Sequence, residues 1–323
     1  SDAYKAFSNN FEEGDRVFII SSIFGGTGAS GFPLLLKTLR NDENSQHWKL
    51  IKESKIGAVT VLPYFNVEQD DNSGVDSSTF YSKTKSALAY YERNITGNNS
   101  INALYFIGDN MPASYKNHDG GSEQKNNAHM IELYAALAIL NFASTPDESL
   151  TGKTKTYEFG IDTNDEDIKQ VIFKDLGPET RGLIQKGLTM FFLKNKYIKN
   201  ELDDEYKHQP WAVDCGLDDN FFTSDFFKDL TRFEDAFATW LDELDNNKRS
   251  FKPFAQEKTN PLFDLVNGQK ARKLPVLSRN YSLLDSTMNG NWKGWNKSAS
   301  KEQKFMELFY RATDKLTLKK FNF

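Results

Sequence analysis

Residues Val17–Pro33 read VFIISSIFGGTGASGFP and carry the strongest structural signal in the chain. A run of apolar, mostly β-branched residues enters a glycine-rich turn, and the helix-forming sequence LLLKTLR follows at Leu34–Arg40. An apolar run without polar alternation predicts a strand buried on both faces of a parallel sheet. Backbone N–H groups at a helix start bind phosphate where glycines allow close approach. The stretch therefore predicts a strand, a phosphate-binding turn and a helix with Pro33 in its first turn.

Similar elements alternate along the next hundred or so residues. In order they are a strand, a helix, a strand and a long apolar helix: Ile56–Val61, Ser78–Arg93, Ile101–Ile107 and Asn126–Phe142. This order predicts an α/β fold with a parallel sheet. The helix 126–142 is apolar nearly all round, which predicts a central, buried position. We assign residues 1–145 to this first domain.

Residues 146–323 have a different pattern and predict a second, helix-rich α+β domain. Short strands are expected at Thr154–Ile161 and Lys169–Phe173. Amphipathic helices are expected at Glu179–Ile198 and Ser224–Leu244, and a further helix is expected at Lys301–Lys319. Trp292 and Trp295 lie in a polar segment, where large rings mark either an interface or loop packing.

Composition excludes several classes of protein. The formal net charge is −5, so the chain lacks the basic character of a nucleic-acid-binding protein. No apolar run approaches the roughly 18 residues of a membrane span, and no signal peptide is recognised. Cys215 is the single cysteine, which excludes a disulfide framework and a multi-cysteine metal site. We expect a cytoplasmic protein with no nucleic-acid or membrane partner.

The glycine spacing by itself favours a dinucleotide-binding enzyme. Gly25, Gly28 and Gly31 give G-x-x-G-x-x-G, the pattern of short-chain dehydrogenases. Such a site has a charged selector residue about 20 residues further on, at the end of the next strand. Here the first acid after that strand is Glu68, which comes too late. Tyr81 and Lys85 have the spacing of a reductase Tyr–Lys pair, but they come too early in the chain.

The same stretch resembles the phosphate loop of the tubulin and FtsZ family. That family has strand–GGGTG(S/T)G–helix, often with a proline just after the loop. The residues Phe24–Pro33, FGGTGASGFP, are similar to it, with Phe24 in place of the first glycine and Ser30 in place of the last. Phe11–Asp15, FEEGD, looks like the helix end and turn that precede the loop in FtsZ.

The resemblance continues towards residue 145. Ala58–Phe65, AVTVLPYF, is similar to the next strand of the family with its V-V-T-x-P-F ending. Ile107–Asn110, IGDN, looks like the I-P-N-D that closes the following strand. Asn126 and Asn127 stand where the family places the residue that contacts the guanine ring.

The resemblance implies a fold that binds GTP or GDP, with Mg²⁺. The phosphates would lie against the glycine loop: Gly25, Gly26, Thr27, Gly28, Ala29 and Ser30. The guanine ring would contact Asn127 or Asn126. The alternative for these two asparagines is a helix cap, a common position for Asn.

The chain departs from the family at two places. The family has a segment before this point that contains another glycine-rich phosphate loop, so we expect either a fragment or a protein without half of the pocket. Polymerising members complete the GTPase site of a neighbouring subunit with an N-x-D-x-x-D loop. The nearest match here is D-x-N-x-x-D, formed by Asp162, Asn164 and Asp167. The alternative is a solvated loop, and the run does not fit an EF-hand.

Three functions follow as hypotheses. The first is a GTP-binding, tubulin/FtsZ-like protein that self-assembles and, where the pocket is complete, hydrolyses GTP. The second is an NAD(P)-binding protein of the short-chain reductase type. The third is a structural or interaction protein that keeps the fold without a nucleotide.

Overall fold

Each apolar run assigned to a strand in the first 145 residues belongs to one parallel sheet. In the computed structural model these runs form strands β1 (Val17–Ser22), β2 (Ile56–Val61) and β4 (Ala103–Ile107). A short strand, β3 (Phe65–Val67), lies between β2 and β4 in the sequence and is not part of this sheet. The sheet has the order β1-β2-β4-β6, where β6 is Lys155–Glu158, and all neighbouring strands are parallel. The α/β class predicted from the sequence is confirmed.

The structure describes residues 2–68, 77–110, 113–116, 126–162, 165, 167–202, 204–256, 261–272, 280–291 and 298–323. The chain divides into two units. The first comprises Ser1–Ile161 and the tripeptide Asn247–Arg249, and the second comprises Asp162–Asn246 and Ser250–Phe323. Because β6 pairs with β4, the first unit extends beyond residue 145 to the end of the sheet.

Helices of the first unit alternate with its strands. They are α1 (Asp2–Asn9), α2 (Gly26–Asn41), α3 (Trp48–Glu53), α4 (Phe80–Tyr91) and α5 (Met130–Ser144). Strand β5 (Ala113–Tyr115) pairs in parallel with β3.

One face of the sheet packs on helices α2, α3 and α4. Register partners Ile19, Ala58 and Leu104, on three adjacent strands, are buried on this face. They belong to one apolar cluster with residues of the helices: Phe32, Leu36, Leu39, Ile51 and Tyr91. Burying these side chains is the main driving force for folding of this unit.

Helix α5 packs on the opposite face, against β2 and β4. The ring of Phe142 lies directly over Gly57, where a Cβ atom would come within 2.8 Å of it. Phe18 of β1 contacts the same ring, with centroids 5.4 Å apart. The absence of a side chain at residue 57 therefore lets α5 approach the sheet closely.

Helix α2 begins earlier than the sequence predicted. It starts at Gly26, so Pro33 lies inside the helix and the prediction of a first-turn proline is wrong. A proline in a helix interior frees the carbonyl group four residues before it, here that of Ala29. The Tyr91 hydroxyl donates a hydrogen bond of 3.0 Å to this oxygen. The freed acceptor is thus satisfied from α4, and the helix continues.

Helix α5 begins later than predicted. The expected helix 126–142 is observed at Met130–Ser144, because His129 has an extended backbone and caps the helix. Asn126 and Asn127 precede the helix and are exposed, so the alternative that they cap it is wrong.

The second unit is mostly helical. Its elements are β7 (Gln170–Val171), α6 (Pro178–Glu201), α7 (Pro210–Cys215), α8 (Asp219–Phe222), α9 (Asp225–Asp245), β8 (Ser250–Phe251), α10 (Asn280–Asn291) and α11 (Lys301–Phe321). Strands β7 and β8 form a parallel pair. Helix α11 packs on α6 and α10. The predicted helices 179–198, 224–244 and 301–319 correspond to α6, α9 and α11 with small shifts at their ends.

A buried charge network joins α6 and α9. The Lys194 ammonium group forms an ion pair with the Glu234 carboxylate, and neither side chain is more than 6% exposed. The Asn195 side-chain amide donates to the other carboxylate oxygen of Glu234 at 2.6 Å. The carboxylate is therefore neutralised and hydrogen-bonded, as a buried charge requires.

Candidate functional site

The carboxyl edge of the parallel sheet brings together most of the residues that the sequence singled out. Strands β1, β2 and β4 end at Ser22, Val61 and Ile107, and the segments that follow them meet along this edge. Ligands of open α/β sheets bind outside the carboxyl ends of the strands.

The glycine turn, Phe24–Gly28, opens helix α2 at this edge. Gly25 is the N-cap, and no side chain of the described residues caps the helix. The first helical bond runs from Ala29 N–H to Gly25 C=O at 3.0 Å. The N–H groups of Gly26, Thr27 and Gly28 thus have no acceptor within the helix. Together with the positive end of the helix dipole they suit an anion.

The glycines of the turn have different surroundings. At Gly26 an added Cβ would meet no atom within 4 Å, and both Gly26 and Thr27 are exposed. At Gly28 an added Cβ would lie much closer to the Ser22 carbonyl oxygen than van der Waals contact allows. Gly26 and Thr27 therefore offer backbone that a ligand can approach, whereas Gly28 lets α2 pack against the end of β1.

Two further residues of the predicted loop have partners in the protein. The Ser30 hydroxyl donates to the Gly26 carbonyl oxygen at 2.7 Å. The Ala29 carbonyl oxygen accepts from Tyr91, as described above. A phosphate-binding role for Ala29 and Ser30 stays a prediction.

A row of aromatic rings connects the glycine turn with the start of α5. Phe24 contacts Phe65, with centroids 5.5 Å apart, and Phe65 contacts Tyr64 at 5.0 Å. Tyr64 in turn contacts the imidazole of His129 at 5.0 Å. We call Phe24, Phe65, Tyr64 and His129 the aromatic row. Sequence reasoning missed Tyr64 and Phe65 as site residues, although an aromatic pair directly after a strand end was visible.

A buried ion pair lies at the end of β4. The Arg249 guanidinium approaches Asp109 at 3.0 Å from Nε to Oδ1, and the two side chains are 4% and 3% exposed. Arg249 also donates to the Asn110 side-chain oxygen at 2.7 Å. No local pattern marks Arg249, because its partners are about 140 positions away in the sequence.

The tripeptide that carries Arg249 also holds the segment before α5. Asn247 donates from its side-chain amide to the Ala128 carbonyl oxygen at 2.8 Å. Its side-chain oxygen accepts from the Tyr115 hydroxyl at 3.1 Å. The backbone that follows Asn126 and Asn127 is thereby tied to β5 and to residues 247–249.

Electrostatics along the edge favour uncharged rings. Burial lowers the pKa of His129, and the negative charge of Asp109 opposes this effect. Burial and the neighbouring Glu132 carboxylate raise the pKa of Tyr64. Burial likewise raises the pKa of Tyr115. At neutral pH the imidazole of His129 is therefore neutral, and the phenols of Tyr64 and Tyr115 are protonated.

Of the predicted catalytic residues, Asp162 and Asp167 belong to the second unit. Asp162 and Asp167 are exposed, and Asn164 lies outside the described residues. The Asp165 carboxylate accepts from the Asp167 backbone N–H at 3.1 Å, a local turn. Within the described ranges no group of three or more His, Cys, Asp or Glu side chains is arranged to hold a metal ion. A role in GTP hydrolysis stays a prediction for these residues.

The second unit also has a cavity of about 200 Å³, lined by residues of α9, of β8 and of the segment after β8. Its polar side chains contact one another. Lys252 forms an ion pair with Asp245, and Gln256 donates to Asp242. This mutual pairing makes the cavity a weaker candidate than the sheet edge.

Other sequence candidates do not contribute to the site. Cys215 is buried, and burial raises the pKa of its thiol, which lowers its reactivity. Trp292 and Trp295 lie outside the described residues. Over the described part of the chain, no helix combines the length and the apolar character needed to cross a membrane.

Comparisons with known proteins identified no relative of this chain. No family model, no curated protein and no solved structure matches this chain.

Proposed function

We propose that this chain binds a guanine nucleotide, GTP or GDP, in the manner of the tubulin/FtsZ family. One observation carries the proposal: helix α2 opens at the carboxyl edge of a parallel sheet, and among the described residues no side chain caps it and no atom would contact a Cβ added at Gly26. Backbone N–H groups in that position bind phosphate in many nucleotide-binding folds. The sequence resemblance to the tubulin-type loop supports the choice of nucleotide.

Other segments at the carboxyl edge of the sheet would contact the guanine ring and the part of the nucleotide between the ring and the phosphates. The exposed Asn126 and Asn127 supply amide groups that match the hydrogen-bonding edge of guanine. Three rings of the aromatic row, those of Phe24, Phe65 and Tyr64, are partly exposed and would supply ring surface between the phosphate end and these asparagines. In this proposal Gly25, Gly26, Thr27 and Gly28 bind phosphates, and the Thr27 hydroxyl contacts a phosphate or its Mg²⁺.

Binding is tested by calorimetric titration with GTP, GDP, ATP and NADPH, each with and without Mg²⁺. We expect guanine nucleotides to bind and the other two to bind at least about tenfold more weakly. Tighter binding of NADPH than of GTP would support a reductase-like protein instead. Binding of none of the four would support a protein that keeps this fold without a nucleotide.

Gly26→Leu tests the position of the phosphates. Its side chain would enter the open space above the first turn of α2, which we expect to abolish GTP binding. Gly31→Leu is the matched control, because it lies on the same helix and an added Cβ there also meets no atom within 4 Å. Equal affinities of the two variants would contradict a phosphate site at the glycine turn.

The proposal extends to self-assembly with GTP hydrolysis. Asp162, Asn164 and Asp167 of one copy would orient the attacking water at the nucleotide of the next copy. Light scattering and phosphate release are measured together after addition of GTP and Mg²⁺. We expect Asp162→Asn with Asp167→Asn to slow phosphate release and to leave GTP affinity unchanged. Equal release by wild type and variant would remove these carboxylates from the mechanism.

A further inference from the structure

His129 occupies an unusual position for a titratable side chain, because it is buried and caps a helix. The residue is 3% exposed. Its Nδ1 atom accepts the backbone N–H of Ile131 at 3.1 Å, and the Glu132 carboxylate accepts the backbone N–H of His129 at 3.3 Å. This reciprocal pair is a capping box in which imidazole replaces the usual hydroxyl or carboxylate.

Charged and titratable groups approach the ring from every element around it. Glu132 lies on the same helix, and Tyr64, after β2, contacts the ring and donates to Glu132 at 3.4 Å. Asp109, after β4, interacts electrostatically with the ring and is itself paired with Arg249. Tyr115 of β5 interacts with the Glu132 carboxylate. The carboxylates that could stabilise a charged imidazole are thus already engaged.

A proton on Nδ1 is incompatible with this arrangement. An imidazolium ring has N–H groups at both nitrogens, so Nδ1 cannot accept from Ile131. The charge would also stand at the positive end of the α5 dipole and in a buried position. Protonation therefore removes the cap and expels the ring from its contact with Tyr64.

The segment just before His129 contains the residues assigned to the base. Asn126 and Asn127 lie three and two positions before His129, and Ala128 is held by Asn247. The start of α5 and the Asn247 contact together fix the backbone of this segment. Loss of one of these two anchors leaves the asparagines free to move relative to the glycine turn.

We propose that His129 is a positioning residue of the nucleotide site, whose neutral ring holds residues 126–128 in place and whose protonation weakens nucleotide binding. The inference rests on the proposed function for the identity of the ligand. The residue acts through the backbone before α5 and does not itself contact the nucleotide.

The direction in which pH changes nucleotide affinity follows from the linkage between proton binding at His129 and ligand binding. Burial lowers the pKa of His129 below its ordinary value of 6.5. A ligand that binds only the form with the neutral ring is bound fully above the pKa of the free protein. Its affinity declines as the pH falls below that value. Stability of the cap follows the same direction, because the unfolded chain takes up the proton more readily.

The test compares wild type with His129→Asn. Asparagine is among the best N-cap residues and does not titrate, so it keeps the cap and removes the proton site. We expect wild-type GTP affinity to fall more than that of His129→Asn between about pH 7.5 and about pH 5.5, by a factor that stays below about ten because the pKa of His129 lies below 6.5. Titration of the phosphates of GTP is common to both proteins and cancels in this comparison. Equal pH profiles would overturn the inference.

His129→Phe separates the cap from the ring. Phenylalanine keeps ring contact with Tyr64 but has no acceptor for the Ile131 N–H. We expect its affinity to be low at both pH values, with Asn restoring more affinity than Phe. The reverse order would show that ring packing, and not the cap, positions the segment.

A ligand-free measurement distinguishes failure of this inference from failure of the proposed function. Hydrogen exchange of the backbone amides at 127–131 is followed in wild type and His129→Asn across the same pH range, after correction for intrinsic exchange. We expect protection to decrease at low pH only in wild type. If protection decreases in this way but no GTP binds, the proposed function is overturned and the pH-sensitive cap is kept. If protection in wild type does not depend on pH, the inference that protonation opens the cap is overturned.

Discussion

The Tyr91 hydroxyl donates a 3.0 Å hydrogen bond to the carbonyl oxygen of Ala29, the acceptor that Pro33 leaves without a helical donor. Tyr91 is 1% exposed, and burial raises the pKa of its phenol to about 12, so the hydroxyl remains a donor. The bond therefore connects α4 to α2 at the point where the proline would otherwise weaken the helix.

Tyr91→Phe is expected to lower the free energy of unfolding by about 1–2 kcal/mol, since it leaves a partly buried acceptor without its donor. In a Pro33→Ala background residue 33 regains an N–H that can serve Ala29, so the same change is expected to have a smaller effect. Denaturant unfolding of wild type, Tyr91→Phe, Pro33→Ala and the double variant measures the coupling free energy between residues 91 and 33. Equal effects in both backgrounds would contradict the link between Tyr91 and Pro33.

Gly28 and Gly31 provide a contrast within one helix. Gly28→Ala would force the new methyl group against the Ser22 carbonyl, and we expect a loss of about 1–3 kcal/mol in the free energy of unfolding. Gly31→Ala places its methyl group in open space and is expected to stabilise the helix by up to about 1 kcal/mol. Urea unfolding of both variants checks the opposite signs. A stabilising Gly28→Ala would show that α2 does not need to approach β1 so closely.

Asp109 and Arg249 are expected to stabilise the fold only as a pair. Asp109→Leu leaves a buried guanidinium without its carboxylate, which we expect to destabilise the protein by about 3–5 kcal/mol. Adding Arg249→Met removes the uncompensated charge and is expected to recover part of that loss. Unfolding curves of wild type, both single variants and the double variant give the coupling free energy between Asp109 and Arg249.

Arg232→Gln is the control for this pair. It removes an exposed i,i+3 ion pair with Asp229, which is expected to have no measurable effect. A double variant of Asp109 and Arg249 that is less stable than either single variant would show that the two residues act independently.

The buried Lys194–Glu234 pair predicts a pH-dependent defect. In Glu234→Gln the Lys194 ammonium loses the carboxylate that opposes the effect of burial, so its pKa falls further below the ordinary value of 10.5. The unfolded chain then binds the proton more tightly than the folded protein, so stability of this variant rises with pH. We expect its deficit relative to wild type to shrink between about pH 7 and about pH 9.5.

Unfolding by urea at several pH values provides the measurement for this variant. Lys194→Met with Glu234→Gln is the matched control, because it has no ammonium group and is expected to show a pH-independent deficit. A constant deficit in Glu234→Gln alone would mean that Lys194 keeps its charge without a partner.

Local sequence signals predicted the strands better than the helix ends. Ile56–Val61 is observed with the predicted bounds, because an apolar β-branched run between polar residues has one favourable environment, a buried parallel strand. Helix α2 includes Gly26, Thr27 and Gly28, residues of low helix propensity. Packing against the end of β1 overrides that propensity, and such packing is not visible in the local sequence.

The candidate site was predictable only in part. The glycine turn and the segment with Asn126 and Asn127 were found from motifs and their order. His129 and Arg249 were not, because their roles depend on contacts set by the tertiary fold: a ring contact with Tyr64 and an ion pair with Asp109. Histidine is an uncommon N-cap, so propensity pointed to the neighbouring asparagines instead.

The tripeptide Asn247–Arg249 belongs to the first unit, although the chain on both sides of it belongs to the second. The first unit is therefore not an autonomous segment that a single cut can release. Expression of residues 1–161 alone would leave Asp109 as a buried carboxylate without Arg249 and the segment before α5 without Asn247. Dissection of this protein into independently folding parts requires that the tripeptide be grafted back, for example through a short linker after residue 161.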